Sequence, residues 1–163
     1  MTELEKLYNE QAKRIYNYIL SLSGNPHIAE EVLQDTFYRA TKHVLISNKI
    51  LQPAWFFKVA RNIYIDFQRG KSRSENLADF EMEIGNDDSL ETILEVKELQ
   101  LTVQEVLMKL PENYRTILIL REFQELTYQD ISEIMGISMD NVKVGLFRAR
   151  QKFKHLYKRR DLD

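Results

Sequence analysis

Residues 127–154 read TYQDISEIMGISMDNVKVGLFRARQKFK. This stretch spells two short amphipathic helices with a tight turn between them. Thr127 is placed to N-cap the first helix, and Asp130, three residues on, completes a capping box. Ile131, Ile134 and Met135 give that helix one apolar side. Gly136 stops it, because glycine takes the left-handed position after a helix at little cost. Ser138 caps the second helix. A helix, a short glycine-containing turn and a second helix form the helix-turn-helix signature.

At about 100° per residue the second helix resolves into faces. Val142, Leu146, Ala149 and Phe153 share a narrow stripe, assigned to the core. Asp140, Val144, Phe147, Arg148 and Gln151 lie opposite, with Lys143 and Arg150 flanking one side. A purely solvated face rarely carries Val144 and Phe147. A face that mixes Arg, Gln and apolar groups suits base edges, since Arg bonds guanine and apolar groups meet the thymine methyl. The bland alternative is an amphipathic helix in an ordinary bundle, because such patterns also arise by chance.

Composition sets the class. The chain has 163 residues, enough for one or two small domains. Only 5 glycines and 3 prolines occur, and Leu, Ile, Glu and Lys are frequent, so an all-α protein is expected. There is no cysteine. Disulfides, thiolate metal sites and cysteine nucleophiles are therefore excluded. No stretch approaches the roughly 18 apolar residues of a membrane span, and the N-terminal MTELEKLYNEQ is polar and acidic, unlike a signal peptide. A cytoplasmic chain without membrane insertion is expected. There is no glycine-rich phosphate loop and no HExxH pair. His27, His43 and His155 are scattered and read as surface or capping histidines. With no catalytic constellation, neither enzymatic activity nor a metal or cofactor is expected.

The formal net charge of -2 hides a segregation. Residues 1–70 carry nine Lys/Arg and seven Asp/Glu, residues 71–99 three against nine, and residues 138–160 eight against one, Asp140. A basic C-terminus thus follows an acidic middle. The basic end is an electrostatic footprint for nucleic acid. The near-neutral total implies weak DNA binding by the chain alone, because non-specific affinity comes from phosphate neutralisation.

The remaining helices follow from periodicity. Residues 4–22 carry Leu4, Leu7, Tyr8, Ile15, Ile19 and Leu22 at helical spacing, and Gly24 ends the run. Asn25 and Pro26 open a helix to about His43, with Ala29, Val32, Leu33, Thr36, Phe37 and Ala40 inward. Residues 44–52 lack a helical period and read as a loop. Pro53 starts a helix to about Arg69 with Phe56, Val59, Ala60, Ile63 and Phe67 inside. Trp55, Lys58, Asn62, Asp66 and Arg69 fall on its outer side. That grouping resembles a surface for unstacked bases, unless Trp55 packs on the preceding helix. Lys71 and Arg73 extend its basic end. Residues 74–88 are acidic and aperiodic and read as a flexible linker. Asp88 and Glu91 can box-cap a helix to Leu110 lined by Val96, Leu99, Val103, Val106, Leu107 and Leu110. Pro111 restarts the chain into ENYRTILILREF. The expected domains are 1–73 and 89–163, joined by 74–88.

Taken together, these motifs resemble one family over nearly the whole chain. Residues 29–40, AEEVLQDTFYRA, are similar to the polymerase-binding helix of bacterial RNA polymerase sigma factors of the extracytoplasmic-function group, usually AEDLVQETFLRA. Residues 55–66, WFFKVARNIYID, are similar to WLFRIARNLAID, the helix that opens and reads the minus-ten element. Residues 110–115, LPENYR, match the LPExYR that begins the family's fourth conserved region. The helix-turn-helix resembles the minus-thirty-five reader.

The resemblance implies roles. Gln34, Asp35, Phe37 and Arg39 belong to the helix that docks on the clamp of core polymerase, Phe37 as packing. Lys58, Arg61 and Asn62 lie against minus-ten DNA, and the loop from Ser47 to Ile50, with Asn48, captures a flipped base. Lys143, Val144, Phe147 and Arg148 face the minus-thirty-five major groove. The linker threads toward the RNA exit path, and an anti-sigma partner is implied.

Two departures bear on promoter sequence. Where the family often has TVKSRLHRAR, this chain has NVKVGLFRAR. Val144 replaces Ser and Gly145 replaces a frequent Arg, which removes one phosphate or base contact. Gly145 also costs about 1 kcal/mol of helix propensity relative to Ala. The loop before Trp55 lacks the usual Phe and basic residues. A sigma-like module that docks on polymerase or a regulator without opening promoters is the alternative. A stand-alone helix-turn-helix repressor is a weaker one, since it has no need of the WFFKVARN helix and usually reads two half-sites as a dimer.

Overall fold

The structure, a computed structural model, describes residues 2–47, 51–70 and 90–160. These residues form seven α-helices and one π turn, with no strand among them. The expected linker 74–88, Asn48, Lys71, Arg73 and the Asp88–Glu91 box lie outside the described residues, as do the side chains of Leu4, Leu7 and Val96.

Helix α1, Glu3–Ser23, begins with a full capping box. Thr2 N–H donates to the Glu5 carboxylate at 2.7 Å and Glu5 N–H to the Thr2 hydroxyl at 3.1 Å. Gly24 ends it in the left-handed conformation, φ 68°, with its N–H on the Leu20 carbonyl. Helix α2, Pro26–Ser47, opens on the Asn25 side chain, which accepts from His27 N–H at 2.9 Å. It runs past His43, so the expected loop at 44–47 is helix. Periodicity missed this turn because Leu45 and Ile46 point outward, 79% and 82% exposed, which breaks the apolar stripe.

Helix α3, Pro53–Gly70, packs on α1 and α2. Its buried side holds Phe56, Ala60 and Ile63 as expected, but widens to Phe57 and Tyr64 while Val59 and Phe67 are only half-buried. Phe57 lies edge-on to Tyr18 of α1 at 5.4 Å, and α3 also packs against α6.

Helix α4, Leu90–Lys109, buries Val106 and Leu107, and Leu110 just beyond its end is buried as well. Leu99, expected inside, is 55% exposed. After Pro111 come α5, Glu112–Leu118, and the π turn Ile119–Phe123, which buries Ile119 and Leu120. Helix α6, Tyr128–Met135, and the long α7, Met139–Arg160, follow. Helix α7 rests on α4, α5 and α6.

The helices α1–α3 and α4–α7 form two halves that touch. Helix α1 meets α4, α5 and the π turn, and α3 meets α6. Their buried apolar residues join into one contiguous core that runs from Ile15 and Phe56 to Ile131 and Leu146.

Candidate nucleic-acid and polymerase interfaces

The turn that sets up α7 is built as its residues require. The Thr127 hydroxyl accepts from Asp130 N–H at 3.0 Å, which is the Thr127 half of the expected box. Gly136 sits at φ 66°, and its N–H returns to the Ser132 carbonyl. The Ser138 hydroxyl accepts from Asn141 N–H at 3.1 Å and starts α7. Each bond satisfies a helix-end group that has no partner within its own helix.

Helix α7 is then fixed in rotation by its buried stripe of Val142, Leu146 and Ala149. Lys143, Val144, Phe147, Arg148 and Gln151 are thereby held outward, with Phe147 64% exposed. Phe147, Arg148, Gln151, Lys152 and His155 line an open groove of about 430 Å³ together with Tyr114 of α5. Tyr114 thus joins a face that periodicity drew from α7 alone. Arg150 leaves that face: its Nε donates to the Glu122 carboxylate at 2.7 Å, which ties α7 to the π turn.

Gly145 points the other way, toward α5. A Cβ built there would stand 3.1 Å from Ile117 Cδ1. A side chain there would require Ile117 to shift by a few tenths of an ångström, so the bare backbone suits the close approach of α7 to α5.

On α3, Lys58, Asn62, Asp66 and Arg69 form one exposed row. Trp55 does not join it. It is half-buried, with its ring 5.5 Å from His43 and edge-on to Phe56 at 5.3 Å, so it packs on the preceding helix. Arg61, which the resemblance sets against minus-ten DNA with Lys58 and Asn62, is less exposed than this row. It is half-buried, its Nε is enclosed without a hydrogen-bond partner, and its charge lies near Tyr18. Burial pushes the Tyr18 hydroxyl pKa up, and the Arg61 charge opposes that rise.

On α2, Gln34, Asp35 and Arg39 are exposed. Phe37 is in the core, edge-on to Tyr8 at 4.7 Å and 5.2 Å from Phe56. It supports the exposed face from beneath. Tyr38 belongs on that face, 62% exposed with the Lys42 ammonium over its ring at 5.4 Å. An exposed aromatic among polar groups is a common anchor of protein interfaces, and it lies one helical turn from Gln34 and Asp35. Among the described residues no helix is long and apolar enough to cross a membrane, and no group of His, Cys, Asp and Glu is arranged to hold a metal.

Comparison with known proteins agrees with this layout. The family model for sigma-70 region 2 matches residues 7–74, and that for sigma-70 region 4 matches residues 100–153. The chain is 33% identical over 156 residues to the ECF RNA polymerase sigma factor SigM of Bacillus subtilis, covering 96% of each chain. It is 32% identical over 155 residues to RNA polymerase sigma factor SigZ of the same organism, with 94% of this chain and 86% of that one covered. Among solved structures, the sigma factor RpoE in complex with the anti-sigma factor NepR from Bartonella quintana has the same fold. Its TM-score is 0.76 at 22% identity, over 97% of this chain and 98% of that one. CnrH in complex with the cytosolic domain of CnrY gives a TM-score of 0.66 at 20% identity, covering 95% and 87%. With region 2 and region 4 in order and a relative matched end to end, the chain belongs to the extracytoplasmic-function group of sigma-70 family sigma factors.

Proposed function

We propose that this chain binds core RNA polymerase through the exposed face of α2 and directs it to promoters through α3 and α7. The observation that carries the reading is the outward face of α7. A capped turn and a buried stripe hold Lys143, Val144, Phe147 and Arg148 away from the core, where an α-helix can enter a major groove. In this reading Gln34, Asp35 and Arg39 contact the polymerase clamp over Phe37, and Lys58 and Asn62 meet minus-ten DNA. The 1–73 and 89–163 parts act as separate DNA readers.

The chain itself supplies no bond-breaking chemistry. Melting follows from binding unstacked bases better than paired ones, and polymerase makes the transcript. An anti-sigma factor is the proposed regulator, since the solved structures with this fold include complexes with NepR and with the cytosolic domain of CnrY.

The docking claim is tested by gel filtration of the purified chain with bacterial core polymerase. Co-elution is expected, and the double variant Gln34→Ala, Asp35→Ala should lose it while keeping its helicity. Undiminished co-elution of that variant would remove α2 from the polymerase interface.

A further inference from the structure

Helix α7 continues well past its base-facing residues. Arg148, Lys152, His155 and Arg159 recur at spacings of four, three and four, which is one face of a helix, and all four are exposed. The rotation of these turns is fixed from the other side. Phe153 and Leu156 pack against the core, and Phe153 stacks on Tyr157 at 6.2 Å. Residues 151–160 carry five Lys/Arg and no Asp/Glu. Arg150 is not part of the row, since Glu122 holds its charge at 2.7 Å. The region 4 match ends at residue 153, so His155 and Arg159 lie beyond it.

Two features of the geometry keep this row off base edges. A major groove about 12 Å wide admits one α-helix, and a helix with its side chains is itself about 10–12 Å across. Along Phe147, Arg148, Gln151, Lys152 and His155, however, Tyr114 of α5 shares the lining of the open groove of about 430 Å³. Two helices abreast are too wide to enter, so α7 leaves the DNA groove along this stretch. Length acts in the same direction. From Val144 to Arg159 the helix axis advances about 22 Å at about 1.5 Å per residue, well over the width of the groove. What borders a major groove is the sugar–phosphate backbone, and the lining suits it. Arg148, Lys152 and His155 offer N–H donors there, and no carboxylate is among the lining residues.

We propose that Lys152, His155 and Arg159 grip the phosphate backbone at the edge of the minus-thirty-five groove, and that this grip sets the register in which Val144, Phe147 and Arg148 meet the bases. The proposal rests on the reading of α7 as the minus-thirty-five helix. Phosphate contacts position a protein and carry no sequence information, whereas base contacts specify. A chain of formal net charge -2 thus concentrates its phosphate neutralisation at the end of its reading helix.

The test uses the chain bound to core polymerase and a duplex carrying the upstream element taken from its mapped transcript starts, with a scrambled-element duplex beside it. Affinity is measured over a range of salt. Lys152→Gln and Arg159→Gln should each lower the slope of log affinity against log salt by about one. His155→Gln removes the imidazole and should weaken binding as well. All three should weaken the matched and the scrambled duplex by the same factor, whereas Arg148→Ala should narrow the ratio between them. Replacing single phosphates of the matched duplex by uncharged methylphosphonates should weaken the parent at the edge of the element. The same replacements should leave the Lys152→Gln, Arg159→Gln double variant indifferent, the non-additivity of groups in contact. A slope equal to the parent's in the double variant, on a chain that still prefers the matched duplex, would overturn the grip and leave the α7 reading standing. No preference for the matched duplex by the parent, or no starts from which to draw it, would overturn the α7 reading and the grip with it. Loss of polymerase co-elution in the double variant would assign the row to a protein surface and overturn the grip.

Discussion

Arg148 and Asn62 carry the sharpest expectations at the scale of single residues. Arg148 is exposed on the groove-lining face of α7, where a guanidinium can bond a guanine edge twice. Arg148→Ala should weaken upstream-element binding by about 1–3 kcal/mol and leave the fold intact. Anisotropy with polymerase-bound chain and an upstream-element duplex reads this directly, and undiminished binding would sink the assignment. Asn62 lies in the exposed row of α3 with Lys58. Asn62→Ala should reduce promoter opening, seen as lost permanganate reactivity near the start site, while polymerase binding persists. Unchanged opening would count against α3 as the minus-ten helix. At this scale the sequence was legible where a helix has one buried side. Lys143, Val144, Phe147 and Arg148 are all outward, as spacing and resemblance implied. Spacing left Trp55 open between base stacking and packing, because a helix wheel assumes one buried face and α3 has packing partners on more than one side. At Gly145 the sequence shows a lost side chain, and only the structure shows that Ile117 stands beside it.

Individual helices were readable wherever capping chemistry marked their ends. Gly24 and Gly136 take the left-handed conformation that their places demanded, and Asn25 and Ser138 cap as expected. The exception is the end of α2. Its last turn closes with the Ser47 hydroxyl on the His43 carbonyl, but no glycine marks the stop, and Leu45 and Ile46 face solvent. The π turn at 119–123 was equally invisible, since a one-residue widening of a helix leaves no compositional trace. The role of Phe37 is decided at this scale. It sits beneath the α2 face between Tyr8 and Phe56, so its contribution to docking is indirect. Phe37→Ala should cost about 3–5 kcal/mol of stability by opening a core cavity, read as a lowered denaturant midpoint. Phe37→Leu, which keeps most of the volume, should retain polymerase binding. A stable Phe37→Leu chain that no longer co-elutes with polymerase would instead make the ring itself a contact.

Over the whole molecule, the segregated charge of the sequence anticipated a basic end for nucleic acid, and the order of motifs anticipated region 2 before region 4. What the sequence could not convey is that the two halves share a core and cap each other. Gln104, Arg115 and Arg14 donate to the carbonyls of Ser21, Leu22 and Gln124, and carbonyls carry no residue identity, so neither spacing nor composition points to them. Two DNA-facing helices in one chain gain from simultaneous binding only when a scaffold fixes their separation, and core polymerase is that scaffold in the proposed function. The most direct measurement is therefore reconstituted transcription. The purified chain is added to bacterial core polymerase with fragmented genomic DNA, and transcript starts are mapped. The expected result is a discrete set of starts sharing two upstream elements at one spacing, with starts lost when Arg148→Ala or Asn62→Ala chain is substituted. Starts no different from core polymerase alone, with the chain nonetheless co-eluting with it, would contradict promoter direction and leave a docking module.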